Sequence, residues 1–132
     1  MNGMVEKLNI LLVEDNLLNQ RIVTFSLKKY NHEVTIANHG VEAIERFREK
    51  KFDVILMDIM MPVMDGIEAT IKIREIENVN NFKVRTPIIA LTANTMDNDR
   101  DKCISFGMDE FMTKPFDIEK LKVIFDELKI PS

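Results

Sequence analysis

Four short apolar runs in this chain each lead directly into a polar or charged group, and helical patterns separate the runs. The pairs are residues 10–13 before Glu14 and Asp15, residues 54–57 before Asp58, residues 88–91 before Thr92, and residues 110–113 before Lys114 and Pro115. Runs of this length that alternate with helical patterns are typical of a parallel sheet. Because parallel strands present their carboxyl ends at one edge of an open sheet, we expect the polar groups to lie together there.

The whole pattern predicts one doubly wound α/β domain over residues 1–132, with five βα units and a core at about residues 9–128. The predicted strands are residues 9–13, 33–37, 53–57, a fourth from Pro87, and 110–113. The predicted helices are residues 16–30, one from Gly40 to the basic residues at 48–51, 67–76, 96–106 and 118–128, with Asn16 and Asp117 as caps. The alternating second strand should lie at an edge and the apolar third strand at the centre, and residues 77–85 should form a polar connection.

Composition and charge exclude several classes of protein. With 45% hydrophobic and 30% charged residues the chain resembles a globular protein, and no apolar stretch is long enough to span a bilayer. A net charge of -4 without a basic cluster argues against direct binding to nucleic acid. No secretory signal is visible, and the single cysteine, Cys103, is expected to be a small buried residue. These features predict a cytoplasmic domain that contacts neither nucleic acid nor membrane.

Four blocks of the sequence resemble, in order, those of the receiver domains of two-component response regulators, which histidine kinases phosphorylate on an aspartate. The blocks are residues 13–16 (VEDN), 57–66 (MDIMMPVMDG), 90–93 (ALTA) and 113–116 (TKPF). The resemblance runs from about Asn9 to Leu128 and implies a flavodoxin-like fold. Residues 14–20 and 92–96 are more similar to receivers attached to hybrid histidine kinases than to those of simple transcription regulators.

The resemblance implies that Asp58 is the phosphoacceptor. A carboxylate with an ordinary pKa of about 3.9 is ionised at pH 7 and can attack phosphorus without a general base, which yields an aspartyl phosphate. Mg²⁺ suits this reaction because it neutralises charge and binds carboxylate and carbonyl oxygens. We expect Asp15 and Asp58 to bind Mg²⁺ directly and Glu14 to bind it through water, and the resemblance implies that Met60 adds its backbone carbonyl.

Two further residues are expected to contact the phosphoryl group. Lys114 would supply a cation on the side away from the metal, and the Thr92 hydroxyl would donate to another phosphoryl oxygen. The resemblance implies that Thr92 and Phe111 move together on phosphorylation, although Phe111 has no hydroxyl to anchor an outward position. It also implies a cis peptide bond before Pro115, which would direct the lysine toward the phosphate.

The lifetime of the aspartyl phosphate is expected to depend on Met60 and Asn94. Met60 stands two residues after the phosphoacceptor and cannot orient an attacking water, so the phosphate should be lost slowly. Asn94, two residues after Thr92, is the obvious polar candidate to orient that water.

Other interpretations of these residues lead to different functions. A haloacid-dehalogenase-like phosphatase also forms an aspartyl phosphate, but it needs a second aspartate where this chain has Met60. An interaction module that is never phosphorylated would have no use for the acidic pair, Thr92 and Lys114. His32 and His39 lie at strand and helix boundaries, and we expect them to be solvated and to be neither ligands nor phosphoryl carriers.

The expected partner is a histidine kinase or a histidine phosphotransfer domain. The first helix carries two apolar stripes about 140° apart, one with Val23, Leu27 and Tyr30 and the other with Leu18, Ile22 and Phe25. Both stripes cannot face the sheet, so the second either covers neighbouring elements or lies exposed near the acidic pair. In the latter case a helical partner could pack its own apolar stripe there.

Overall fold

The computed structural model describes residues 7–59, 61, 64–80, 85–92 and 99–130. Strands and helices alternate along the described chain. The elements are β1 (Asn9–Val13), α1 (Leu17–Lys28), β2 (Glu33–Ala37), α2 (Gly40–Glu49), β3 (Val54–Asp58), α3 (Gly66–Val79), β4 (Ile88–Thr92), α4 (Asp99–Ser105), β5 (Glu110–Thr113) and α5 (Ile118–Glu127).

The described strands form one five-stranded sheet in the order β2-β1-β3-β4-β5. Every neighbouring pair is parallel. β2 therefore lies at an edge and β3 at the centre, which confirms both predictions. The order reverses direction after β1, as it must when helices cover both faces of a parallel sheet. The predicted doubly wound α/β fold is confirmed.

Alternate residues along the strands build a separate core on each face of the sheet. In β1, Leu12 packs with Leu27 of α1 and Phe125 of α5 on one face. On the other face, Leu11 lies in a cluster that includes residues of α2, α3 and α4, among them the buried Cys103. Because successive side chains of a strand point to opposite faces, β1 contributes to both cores and is apolar from Ile10 to Val13.

Side-chain caps define the starts of several helices. Asn16 accepts a hydrogen bond from the backbone N–H of Asn19, and Asp117 accepts one from Glu119, which confirms both predicted caps. His39 caps α2 through Nδ1, at 3.2 Å from the Glu42 nitrogen. This last role was not predicted, although a polar residue before Gly40 is a common signal for a helix start.

The prediction for the end of α3 was wrong. The helix continues past residue 76 to Val79, so the first residues of the expected polar connection are helical. Arg74 contacts Glu77 at 2.8 Å within the helix, and the other carboxylate oxygen of Glu77 accepts a hydrogen bond from the Thr86 backbone at 2.8 Å. Since both carboxylate oxygens of Glu77 accept hydrogen bonds, Glu77 can be buried. These contacts stabilise the last turn of α3.

Smaller differences concern other boundaries. β3 and β4 begin one residue later than predicted and end on Asp58 and Thr92, so both polar residues belong to the strands. α1 ends at Lys28 and not near residue 30. The predicted start of α4 near Met96 lies outside the described residues, and the described helix begins at Asp99.

The expectation that His32 is solvated was also wrong. His32 is buried, its Nδ1 accepts a hydrogen bond from the Leu8 backbone at 3.1 Å, and its ring meets Phe125 edge-on at 6.4 Å. Burial lowers the pKa of His32, against the opposing effect of Asp53. The side chain is therefore held neutral at the amino-terminal side of the sheet, away from the strand ends that carry the acidic residues.

Among the described helices, none combines the length and apolar character that crossing a bilayer would require.

Candidate functional site

Parallel pairing brings the predicted polar residues to one edge of the sheet. Asp58 at the end of β3 pairs with Leu91 of β4, and Thr92 at the end of β4 pairs with Thr113 of β5. β1 ends beside β3, with Val13 opposite Met57, so Glu14 emerges next to Asp58. The shared direction of the strands thus assembles groups that are distant in sequence.

Three carboxylates form a cluster at this edge. Glu14, Asp15 and Asp58 place oxygens within 4.8 Å of one another. Glu14 and Asp58 are buried and Asp15 is exposed. Glu14 Oε2 accepts a hydrogen bond from the Asn16 backbone at 3.1 Å, and the buried Oε1 lies 3.2 Å from the Lys114 ammonium. Three carboxylates so close together, two of them buried, fit a hard divalent cation such as Mg²⁺, which prefers oxygen ligands.

Lys114, directly after β5, completes the cluster. Its Nζ lies 3.2 Å from Asp58 Oδ2 and 3.2 Å from Glu14 Oε1. The Lys114 backbone N–H donates to the Thr92 carbonyl at 2.7 Å, which fixes the start of the turn. The bond between Lys114 and Pro115 is cis, as predicted. The lysine ammonium therefore faces the acidic side chains.

The site departs from the sequence expectation in its electrostatics. Burial, and next the charge of Glu14, raise the pKa of Asp58 from its ordinary 3.8 to about 6, although Lys114 acts in the opposite direction. The premise that Asp58 keeps an ordinary pKa was therefore wrong for the metal-free protein. For Lys114, burial lowers the pKa, but the charges of Asp58 and Glu14 outweigh it and leave the pKa raised. Asp58 is still mostly ionised at pH 7, and a bound cation would favour the ionised form further.

Thr92 and Phe111 lie on neighbouring strands behind the cluster. Thr92 is buried at the end of β4, and Phe111 is partly buried and packs against the core on the face of α2, α3 and α4. Phe111 pairs with Ala90, two residues before Thr92 along β4. Thr92 therefore lies at the edge with the acidic residues, and Phe111 lies two residues before the end of β5. Met60 and Asn94 lie outside the described residues.

The start of α3 approaches the end of β3 very closely. The Gly66 N–H donates to the Ile59 carbonyl at 3.0 Å, which closes the turn after the strand. A Cβ atom on Gly66 would overlap the carbonyl oxygen of Asp58. Because Gly66 has no side chain, the start of α3 can lie against the backbone of Asp58. This role of Gly66 was not predicted.

Sequence reasoning also missed Gln20 and Asn38, which form hydrogen bonds that hold the backbone of Glu14. Gln20 Nε2 donates to the Glu14 carbonyl at 2.6 Å and to Asn38 Oδ1 at 2.7 Å. The available signal was a polar residue at position 20 on the otherwise apolar inward face of α1, which carries Val23 and Leu27. A buried amide at such a position indicates hydrogen-bonding partners that lie far away in sequence.

Residues 10–126 match the family model of the response regulator receiver domain. Histidine kinase 5 of Arabidopsis thaliana is 38% identical over 88% of the chain, and hybrid signal transduction histidine kinase F of Dictyostelium discoideum is 37% identical over 90%. The chain spans only 15% and 11% of these two proteins.

Two solved structures share the fold at higher coverage. The receiver domain of the Saccharomyces cerevisiae response regulator Ssk1, crystallised with the histidine phosphotransfer protein Ypd1, has a TM-score of 0.84 and 34% identity over 93% of this chain and 89% of that one. The receiver domain of a Pseudomonas aeruginosa sensor histidine kinase, solved with magnesium in its active site cleft, has a TM-score of 0.80 and 39% identity over 92% and 97%. With this fold, this acidic edge and these matches, the chain belongs to the family of response regulator receiver domains of phosphorelay signalling.

Proposed function

We propose that Asp58 accepts a phosphoryl group from a phosphohistidine of a partner protein and holds it as an aspartyl phosphate. The observation that carries this proposal is a buried carboxylate at the end of the central strand, with an acidic cluster on one side and Lys114 Nζ at 3.2 Å. A carboxylate oxygen of Asp58 forms the new bond to phosphorus as the phosphorus–nitrogen bond of the donor breaks. The electron pair of that bond stays on the imidazole nitrogen.

Charge is the main obstacle to this transfer, because an anion attacks an anionic phosphoryl group. Lys114 lies where it can bind a phosphoryl oxygen once it leaves its contact with Asp58. Asp15 and Asp58 would hold Mg²⁺ directly and Glu14 would hold it through water. We expect the Met60 carbonyl to add a further oxygen. The cation would neutralise charge on the phosphoryl oxygens.

The experiment is phosphorylation with a small phosphodonor, followed by intact-mass measurement. We expect one added phosphate in the presence of Mg²⁺ and none in Asp58→Asn. Asp15→Asn should bind Mg²⁺ at least about tenfold more weakly, because a charged ligand is lost. A label that persists in Asp58→Asn would reject the proposed acceptor, and unchanged Mg²⁺ binding in Asp15→Asn would place the metal elsewhere.

We further propose that the phosphorylated state is communicated through Thr92 and Phe111. The Thr92 hydroxyl would move toward a phosphoryl oxygen and donate a hydrogen bond to it. Phe111 would then move into the space that Thr92 leaves beside β4. In energetic terms this is a population shift. It is produced by contacts that are available only in the phosphorylated state. The domain would act on no separate substrate and would catalyse only its own phosphorylation and slow dephosphorylation.

The proposed docking site for the histidine-bearing partner is an exposed apolar surface on α1. It consists of Leu17, Leu18, Ile22 and Phe25, and we call it the α1 apolar surface. Leu18 is 66% and Phe25 64% exposed, so neither merely covers a neighbouring element. Val23 and Leu27 are buried and face the sheet, as predicted.

The α1 apolar surface continues to the acidic edge. Ile22 lines a cleft together with Pro115, Phe116 and the site residues Glu14 and Lys114. A helix packed on this surface could therefore bring its histidine close to Asp58. The Ypd1 complex of the yeast receiver domain supports a partner of this class.

Substitution separates docking from chemistry. Leu18→Asp and Phe25→Asp should slow transfer from a phosphorylated histidine phosphotransfer protein by at least about tenfold, equivalent to about 1.4 kcal/mol. Phosphorylation by a small donor should hardly change, since that donor needs only the acidic site. Val79→Asp is the matched control, because Val79 is 80% exposed at the end of α3. Equal slowing with both donors, or slowing with neither, would exclude docking on this surface.

A further inference from the structure

Gln20 is an amide on the buried face of α1. It is 5% exposed and lies one turn before Val23 and two turns before Leu27, both apolar and buried. An amide buried on such a face destabilises the fold unless it is hydrogen-bonded. Both protons of the Gln20 amide are used, one on the Glu14 carbonyl and one on Asn38. The side chain is therefore fixed in one orientation.

The carbonyl that Gln20 holds belongs to the peptide unit between Glu14 and Asp15. Its distance of 2.6 Å to Gln20 Nε2 is short for a hydrogen bond between neutral groups. The same segment is held at the Glu14 N–H, which donates to the Ala37 carbonyl at 3.0 Å, and at Asn16, whose N–H donates to Glu14 Oε2. With its N–H and its carbonyl both bound, the Glu14 backbone can hardly rotate.

A second chain of hydrogen bonds holds Gln20 itself. Asn38 accepts from Gln20 and donates to Glu42 Oε1 twice, from its backbone at 2.6 Å and from its side chain at 2.9 Å. These hydrogen bonds from Asn38 lower the pKa of Glu42, so the chain ends on an ionised acceptor. Consecutive hydrogen bonds that end on a charge polarise and strengthen one another. The first turn of α2 is thereby connected to the segment that carries the acidic pair.

We propose that Gln20 is a positioning residue for the acidic pair. By fixing the peptide unit between Glu14 and Asp15, it sets the direction in which both carboxylates face the cation, and Asn38 and Glu42 keep Gln20 in place. This inference rests on the proposed function, because it concerns the Mg²⁺ that the acidic cluster would hold. Residues that orient metal ligands commonly change metal affinity by about tenfold or more when they are replaced.

The test is Mg²⁺ titration of Gln20→Met, which keeps the length of the side chain and removes both donors. We expect the dissociation constant to rise about tenfold, with near-normal phosphorylation by a small donor at saturating Mg²⁺. Leu27→Val is the matched control, since it weakens packing two turns further along the same face and should leave the constant within about twofold. Asn38→Ala, at an exposed position, should raise the constant by about twofold to threefold and keeps the test available if Gln20→Met folds poorly.

Hydrogen exchange in the metal-free protein gives a second readout. The backbone N–H of Asn16, which donates to Glu14 Oε2, should exchange faster in Gln20→Met and not in Leu27→Val. An unchanged dissociation constant in Gln20→Met, or an equal rise in Leu27→Val, would overturn the proposal. If the wild-type protein failed to bind Mg²⁺, the proposed function would fail. In that case unchanged exchange at Asn16 would still reject the positioning role and faster exchange would support it.

Discussion

The metal-free site destabilises the fold, and one substitution should remove most of that effect. Asp58 is 2% exposed and lies beside Glu14, and its pKa rises from 3.8 to about 6. Each unit by which the pKa rises corresponds to about 1.4 kcal/mol. The ionised side chain therefore lowers the free energy of unfolding by about 3 kcal/mol at pH 7. Asp58→Asn keeps the shape of the side chain and removes its charge. We expect it to raise the free energy of unfolding by about 1 to 3 kcal/mol at pH 7.

The gain should depend on pH in a defined direction. Because the pKa of Asp58 is raised in the folded state, protonated Asp58 is the form that the fold favours. Its contribution to the free energy of unfolding is complete below about pH 4 and is lost as the pH rises through about 6. The difference between Asp58→Asn and wild type should therefore be small near pH 4 and reach its full size near pH 7. Urea denaturation with a chelator present, followed by circular dichroism, measures this difference at each pH.

Two comparisons make the result specific. Asp101→Asn removes an exposed carboxylate from α4 and should change the free energy of unfolding by no more than about 0.5 kcal/mol. Mg²⁺ at about a hundred times its dissociation constant should stabilise wild type by about 2.7 kcal/mol and Asp58→Asn much less. If Asp58→Asn destabilises the metal-free protein at pH 7, or if its gain is the same at every pH, the reasoning from buried charge is refuted.

Three further predictions concern other parts of the fold. In the Asp58→Asn background, stability should fall as the pH drops below 6.5, because His32 must stay neutral to accept from Leu8, and His32→Asn should lose this dependence in the same urea experiment. Gly66→Ala should lower the free energy of unfolding by about 2 kcal/mol in urea denaturation, because its Cβ would overlap the Asp58 carbonyl. Met60→Asn and Asn94→Ala should each change the lifetime of the phosphate, followed by intact mass over time, while Mg²⁺ binding stays the same.

The sheet and its edge could be predicted because their signals are local. A strand buried on both faces must be apolar, as β1, β3 and β4 are, and the polar residue at its end is visible in the sequence. The direction of parallel strands then brings Glu14, Asp58 and Lys114 together without knowledge of any contact. Asn16 and Asp117 were equally accessible, because a cap is determined by residues within one helical turn.

The features that sequence reasoning missed depend on partners far away along the chain. His32 is buried because the Leu8 backbone, 24 residues away, donates to it. α3 continues through Glu77 because Thr86, nine residues later, donates to that carboxylate. The raised pKa of Asp58 requires both its burial and the position of Glu14, and neither follows from the residue types alone. Polar residues in such environments look like surface residues until their partners are known.

The most direct test of the central claim locates the phosphate chemically. After reaction with a phosphorylated histidine phosphotransfer protein and Mg²⁺, reduction with borohydride converts an aspartyl phosphate to homoserine, and peptide mass spectrometry identifies its position. We predict homoserine at residue 58 in wild type and at no position in Asp58→Asn. Homoserine at another aspartate, or a label that borohydride does not remove, would contradict the assignment of Asp58 as the phosphoacceptor.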